Sequence, residues 1–308
     1  MPNKSLLGLI ILTFTLMINF TTQAYSGDNP ASTGLSFLKL GAGGRAVGLG
    51  EAYTAVANDA SGTYWNPAGL ANLSGTELMF THNKWLQDIT NEFAAFGFRA
   101  GKNAFGISFM SNTIGGIEQR VKASAEPLDV LNAHDIMFGF SYARGFGENI
   151  SLGSTIKYLY QKIYIESASG LAVDLGLQYK TPLQGLKTGV VFQNFGFMAK
   201  LQEESTKLPQ TIRLGLAYQL PFQLLNGEFL LATDWMKIIE STSHVHFGLE
   251  YNFIKYFALR FGYQTGFEDK GIHGGFGVSF NRYRLDYAYV PFTSDLGNSH
   301  RISLGIRF

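Results

Sequence analysis

The chain ends Arg301-Ile302-Ser303-Leu304-Gly305-Ile306-Arg307-Phe308, and this stretch decides the fold. In an extended backbone Ile302, Leu304, Ile306 and Phe308 point to one side, and Arg301, Ser303, Gly305 and Arg307 to the other. A helix would repeat its apolar positions near every 3.6 residues, whereas strict alternation marks a strand with two unlike faces. The same alternation sets Ile212, Leu214, Leu216 and Tyr218 against Thr211, Arg213, Gly215 and Ala217. It returns in Val245, Phe247, Leu249 and Tyr251 against His244, His246, Gly248 and Glu250, and again over residues 257–264.

Working back from the terminus, about fourteen such segments are centred near residues 79, 95, 107, 140, 156, 175, 191, 215, 232, 248, 261, 276, 287 and 303. Their connections alternate. Short turns are expected at 101–103, 145–149, 181–185, 221–227, 253–256 and 281–282. Longer polar links are expected at 83–90, 112–134, 162–170, 196–208, 237–243, 265–271 and 291–298. Short turns on one side and long loops on the other predict an antiparallel transmembrane β-barrel of the outer-membrane kind. Segments running toward the short turns end on Phe98, Tyr142, Tyr179, Tyr218, Tyr251, Phe280 and Phe308. Aromatic rings favour the headgroup level, so these seven predict an aromatic girdle on the periplasmic side. A soluble sandwich would bury its apolar faces and would not align aromatics at one level; about fourteen strands also exceed what a small closed core fills.

Composition agrees. Only 15% of residues are charged, against 36 glycines, 26 phenylalanines and 15 tyrosines. The net charge of +1 supplies no field to recruit nucleic acid. The absence of cysteine excludes thiol chemistry, disulfides and a lipid anchor on cysteine. Residues 1–24 read as a cleaved signal peptide: Lys4, an apolar run over 6–20, then Thr22-Gln23-Ala24. The apolar run is short of the roughly 20 residues a spanning helix needs. Any crossing of a membrane must therefore use strands.

Residues 25–75 do not alternate, and the barrel is placed at 76–308. Gly41-Ala42-Gly43-Gly44-Arg45-Ala46 superficially suggests a dinucleotide fingerprint, but that motif needs a strand before it and a crossover helix after it. The mechanical reading is better. Closely spaced glycines allow tight turns in a confined space. Residues 51–58 are expected to form about two helical turns, and Asn66 to cap a short helix beginning at Pro67. Such a compact segment can fold into the lumen as a plug, with Arg45 meeting Asp174, Asp234, Glu250 or Asp286 on the inner wall.

The run Gly44-Arg45-Ala46, Gly48, Gly50, Ala57, Asp59-Ala60 and Trp65-Asn66-Pro67-Ala68-Gly69-Leu70 resembles the amino-terminal hatch of the FadL-like (OMPP1/FadL/TodX-type) outer-membrane proteins. Within that superfamily it looks most like the PorV/PorQ branch. The resemblance implies Gly44, Arg45, Gly48, Gly50, Asn66, Pro67 and Ala68 as hatch motif or ligand gate, and Phe308 as a signal to barrel-insertion machinery. It also implies one of two roles in the outer membrane. A PorV/PorQ-type barrel would receive or hand on exported proteins beside secretion-apparatus subunits of a type IX-like pathway, and the motif wording leans this way. A FadL-like barrel would pass a hydrophobic small molecule.

Lumen-facing polar residues are Arg213, Asp234, His244, His246, Glu250, Arg260, Arg284 and Asp286. His244, His246 and Glu250 share one strand face at a spacing that would suit a metal, but a solvated or salt-linked wall is the ordinary state of such a face. Together with Arg282 and Arg301, these arginines are expected to hold the plug. No catalytic triad faces the bilayer, so neither enzyme activity nor a cofactor is expected.

Overall fold

In the computed structural model, residues 33–86, 89–121, 126–239, 241, 243–253, 256–293 and 297–308 are described. The expected signal peptide, 1–24, lies outside them. Fourteen strands form a closed antiparallel barrel. They are β1 Thr76–Lys84, β2 Thr90–Ala100, β3 Asn103–Gln119, β4 Asp129–Phe146, β5 Ile150–Ile163, β6 Glu166–Lys180 and β7 Leu186–Met198. After a small two-stranded ribbon at 200–205 come β8 Thr211–Leu224, β9 Gly227–Ile238, β10 Ser243–Phe253, β11 Phe257–Gln264, β12 Ile272–Phe280, β13 Tyr283–Pro291 and β14 Asn298–Arg307. Each pairs with its chain neighbours, and β1 closes the ring on β14 from Glu77↔Arg307 to Lys84↔His300. Every segment centre read from the alternation falls inside its strand.

The two faces separate as the alternation demands. Phe96, Phe98, Ile107, Phe138, Phe140, Ile156, Leu175, Leu259, Phe261 and Leu304 are exposed on the outside. Arg213, Asp234, His246, Glu250, Arg260, Asp286 and Ser303 are buried on the inside. An apolar exterior around a polar interior is the inverse of a soluble protein and the pattern of an outer-membrane barrel. Among the described residues no helix is long and apolar enough to cross a membrane, and the strands supply that surface.

Three connections differ from expectation. The link expected over 162–170 is a two-residue turn, because β5 and β6 pair as far as Ile163↔Glu166. Most of the link expected over 112–134 is paired strand, since β3 reaches Gln119 and β4 begins at Asp129. Above the lipid both strand faces meet water, so backbone pairing continues after the apolar alternation that signals it has stopped. The turn expected to begin at Pro221 instead lies at Leu225 and Asn226, both with positive φ. Pro221, which cannot donate to a ladder, falls in the stretch where the register shifts between Gln219 and Gln223.

Candidate functional site

Residues 35–73 occupy the inside of the ring, and nearly all are buried. One short helix is Gly44–Gly48; the helix expected over 51–58 does not form, and Glu51 instead takes a left-handed conformation with φ 65°. The second expectation holds. Asn66 starts a 3-10 helix over Pro67–Asn72, its Oδ1 accepting from the Ala68 N–H at 3.1 Å. The Asn66 amide also donates to the carbonyls of Thr54 (2.9 Å) and Leu177 (3.2 Å), tying segment to wall.

Backbone contacts run around the lumen. The Gly44 N–H donates to Ser303 Oγ at 2.7 Å on β14, and Gln264 on β11 donates to the Gly50 carbonyl at 3.0 Å. On β9, Asp234 Oδ2 accepts from the Tyr53 N–H, the Thr54 N–H and the Thr54 hydroxyl, the last at 2.6 Å. On β6, Gln178 donates to the carbonyls of Thr54 and Ala57, both at 3.0 Å. Such close approach needs walls without side chains. A Cβ on Gly262 would lie 2.0 Å from the Gly50 nitrogen, where Gly50 itself has φ 61°. Gly48 likewise faces the Gly275 backbone, and Pro67 and Ala68 sit against Gly153 of β5.

An ionic chain locks this arrangement on one side. Arg45 donates to both oxygens of Glu250, from Nε at 2.9 Å and from Nη2 at 2.8 Å. Arg260 donates to the same carboxylate at 2.7 Å and stands 2.8 Å from Asp286, which also pairs with Arg284 at 2.8 Å. Arg284 then returns to the inner segment, reaching Asp59 Oδ2 at 2.8 Å, and the Tyr53 hydroxyl donates to the same oxygen. Of the four carboxylates expected for Arg45, Glu250 is its partner. Burial alone would raise the Asp59 carboxyl, but Arg284 and Arg45 outweigh it and hold the group at about 2. Burial opposes ionisation of Glu51 as well, and the positive field led by Lys270, with Arg213, brings it to about 2.

The remaining expected residues take varied places. Arg213 stands 3.9 Å from Glu51 and lies over the Trp65 ring at 5.1 Å. His244 stacks on Phe267 at 4.0 Å, and Glu250 is already engaged by two arginines. Among the described residues no group of side chains suits a metal ion. Arg282 is a correction: it lies exposed at the rim over Tyr283, not in the lumen, because it belongs to a turn. Phe308 is exposed at the same rim, its N–H bonded to the Thr76 carbonyl. Sequence reading did not single out the Lys157–Asp174 pair at 2.6 Å, which Asn194 completes at a bulge in β7. Its mark in the sequence is Gln193-Asn194, which breaks the alternation of Val190 and Phe192 with Phe195 and Phe197, and in the structure Asn194 takes φ 62°.

Where the lumen opens on the loop side, a cavity of about 290 Å³ lies directly against the inner segment. Leu38, Leu40, Trp85, Met236, Ile238 and Phe267 give it an apolar lining.

Similar proteins agree with this architecture. The toluene transporter TodX of P. putida superposes with a TM-score of 0.66 at 10% identity, covering 87% of this chain and 99% of that one. The CymD monoaromatic hydrocarbon channel gives 0.65 at 13% identity, over 87% and 96%. A FadL homologue of Pseudomonas aeruginosa gives 0.55 at 12%, over 86% and 97%. At these identities the likeness shows the fold, that of FadL/TodX-type outer-membrane barrels. The expected PorV/PorQ branch is not reproduced by these matches. A UPF0164 protein of Treponema pallidum (strain Nichols) is 26% identical over 223 residues, 65% of this chain and 51% of that protein. A second from the same organism is 27% identical over 177 residues, 52% of each. The chain thus spans about half the length of the curated relatives it matches. The profile of the uncharacterised protein family UPF0164 matches residues 19–308, and the chain belongs to that family.

Proposed function

We propose that this protein is an outer-membrane channel for hydrophobic small molecules, with residues 25–75 as its hatch. One observation carries the reading: the apolar cavity at the loop-side mouth is floored by Leu38 and Leu40 of the hatch itself. A ligand entering from the loops would therefore touch the element that blocks its way. Small-molecule sites are concave and mostly apolar with a few polar groups, commonly about 300–1,000 Å³, and this cavity sits at the small end. The likeness to hydrocarbon channels supports the same reading over protein secretion.

In this reading Gly44, Arg45, Gly48, Gly50, Asn66, Pro67 and Ala68 hold the hatch closed, and Phe308 serves insertion. The test is binding of a neutral apolar fluorophore to the full chain in lipid nanodiscs. Saturable binding is expected, competed by toluene or octanol and lost in Met236→Asp, which places a charge in the lining. Signal identical in Met236→Asp and wild type would show only partitioning into lipid, and the reading would fall.

A further inference from the structure

The two sides of the hatch differ in how their charges are satisfied. Around Glu250 and Asp286, each arginine stands within 3 Å of a carboxylate. Around Glu51 that balance is missing. Arg213, Arg301 and Lys270 all lie within electrostatic reach of Glu51, as do His246 and His273. The other carboxylate facing Arg213 is Asp234, whose Oδ2 is already occupied by three hatch donors. Lys39, Arg213 and Lys270 line the adjoining cavity against Glu51 as the one carboxylate among the described residues.

Several buried nitrogens there lack hydrogen-bond partners. Arg301 is 4% exposed, and its Nε and Nη1 meet no hydrogen-bond partner. His246 is fully buried with neither ring nitrogen bonded, and Arg213 Nε and His273 Nε2 are also unmatched. The three guanidinium nitrogens, with one N–H of neutral His246, are buried donors without acceptors, and a buried donor or cation is costly unless paired. Among the described residues the nearby carboxylates do not complete the pairing: Glu51 stands 3.9 Å from Arg213, and Asp234 Oδ1 makes no hydrogen bond. Guanidinium forks favour a planar or tetrahedral oxyanion, which offers several lone pairs at once.

We infer that a compact oxyanion binds between hatch and wall, held by Arg213, Arg301 and Lys270 beside Glu51. Its charge completes the pairing that Glu250 and Asp286 supply on the opposite side. The oxyanion is either a free ion or the acid group of a small molecule whose apolar part lies in the cavity. Only the second source rests on the channel reading.

Calorimetric titration of the full chain in nanodiscs, near neutral pH and at constant ionic strength, tests this with inorganic phosphate, octanoate and octanol. Saturable phosphate binding identifies a free ion. Octanoate at least about tenfold tighter than octanol, with phosphate silent, identifies an acid group. In either case Lys270→Gln and Arg301→Gln should each weaken the anion at least about tenfold, and Arg301→Gln, which lies outside the cavity lining, should leave octanol unchanged. Lys270 lies outside the barrel strands, so its variant remains informative if Arg301→Gln fails to assemble. Octanoate and octanol binding alike with phosphate silent, or anion binding undiminished in both variants, overturns the inference while leaving the channel reading intact. Phosphate binding with no octanol binding would remove the channel reading and keep the anion site.

Discussion

Arg45 of the inner segment grips Glu250 of β10 through two parallel hydrogen bonds, at 2.9 and 2.8 Å. The fork geometry fixes orientation as well as charge, so this pair orients the inner segment against the wall. Glu250→Gln would leave Arg45 and Arg260 without their shared counter-charge. Breaking a buried pair from one side costs about 3–5 kcal/mol. The expected outcome is a loosened hatch and several-fold higher conductance in planar bilayers; wild-type conductance would show that Glu250 does not hold it.

Acid should loosen the inner segment at two other carboxylates. Asp59 and Glu51 both titrate near 2 when docked, against ordinary values of 3.8 and 4.5. A depressed carboxyl stabilises the docked state above its ordinary value, and that contribution fades as pH falls toward the docked one. Docking, followed by the fluorescence of fully buried Trp65, should be constant above about pH 5 and weaken progressively toward pH 2. Loss of docking between pH 7 and 5 would contradict this assignment.

Steric fit gives a sharper test. Gly262→Ala would drive a methyl group into the Gly50 backbone, whereas a Cβ at Gly274 on the next strand meets nothing within 4 Å. The first should expose residues 48–51 to protease and the second should not. Equal protection in both would mean that the hatch yields without cost at Gly262.

Asn66→Ala removes a helix cap and two bonds from the side-chain amide in one step. Losing a cap costs about 1 kcal/mol, and the orphaned carbonyls add roughly 1–3 kcal/mol. Accelerated amide exchange over 66–72 is expected with the barrel itself unchanged, so uniform exchange behaviour would count against Asn66 as an anchor.

Deleting Phe308 removes the last exposed aromatic of the rim and one bond to Thr76. Insertion into liposomes carrying the insertion machinery should slow, while the assembled barrel keeps its thermal stability. Unchanged insertion kinetics would leave Phe308 as a girdle residue alone.

The barrel was legible because lipid imposes a pattern on every second residue, and the pattern survives in sequence as Leu214 beside Arg213 or Phe261 beside Arg260. It ceased to be legible where lipid ends, which is why β3 to β6 are longer than their alternation suggests. The inner residues were legible as a set but not as pairs. Nothing local in Arg284 points to Asp59, 225 positions away, because the partnership exists only once the ring is curved. Asn66 was readable because capping is a short-range bond, whereas the Glu51 turn is dictated by contact with the far wall.

Order of synthesis gives the ionic chain another meaning. Arg45 and Asp59 emerge early, but Glu250, Arg260, Arg284 and Asp286 belong to the last third of the chain. The same final strands deliver the seam, since β14 must find β1 to close the ring. Until the wall is nearly finished, the earliest-made charges therefore have only each other, Arg45 and Asp59 standing 4.0 Å apart. A product carrying Arg45 and Asp59 but lacking the last strands would miss Glu250 and Arg284, so the seating of the inner segment depends on the strands made last.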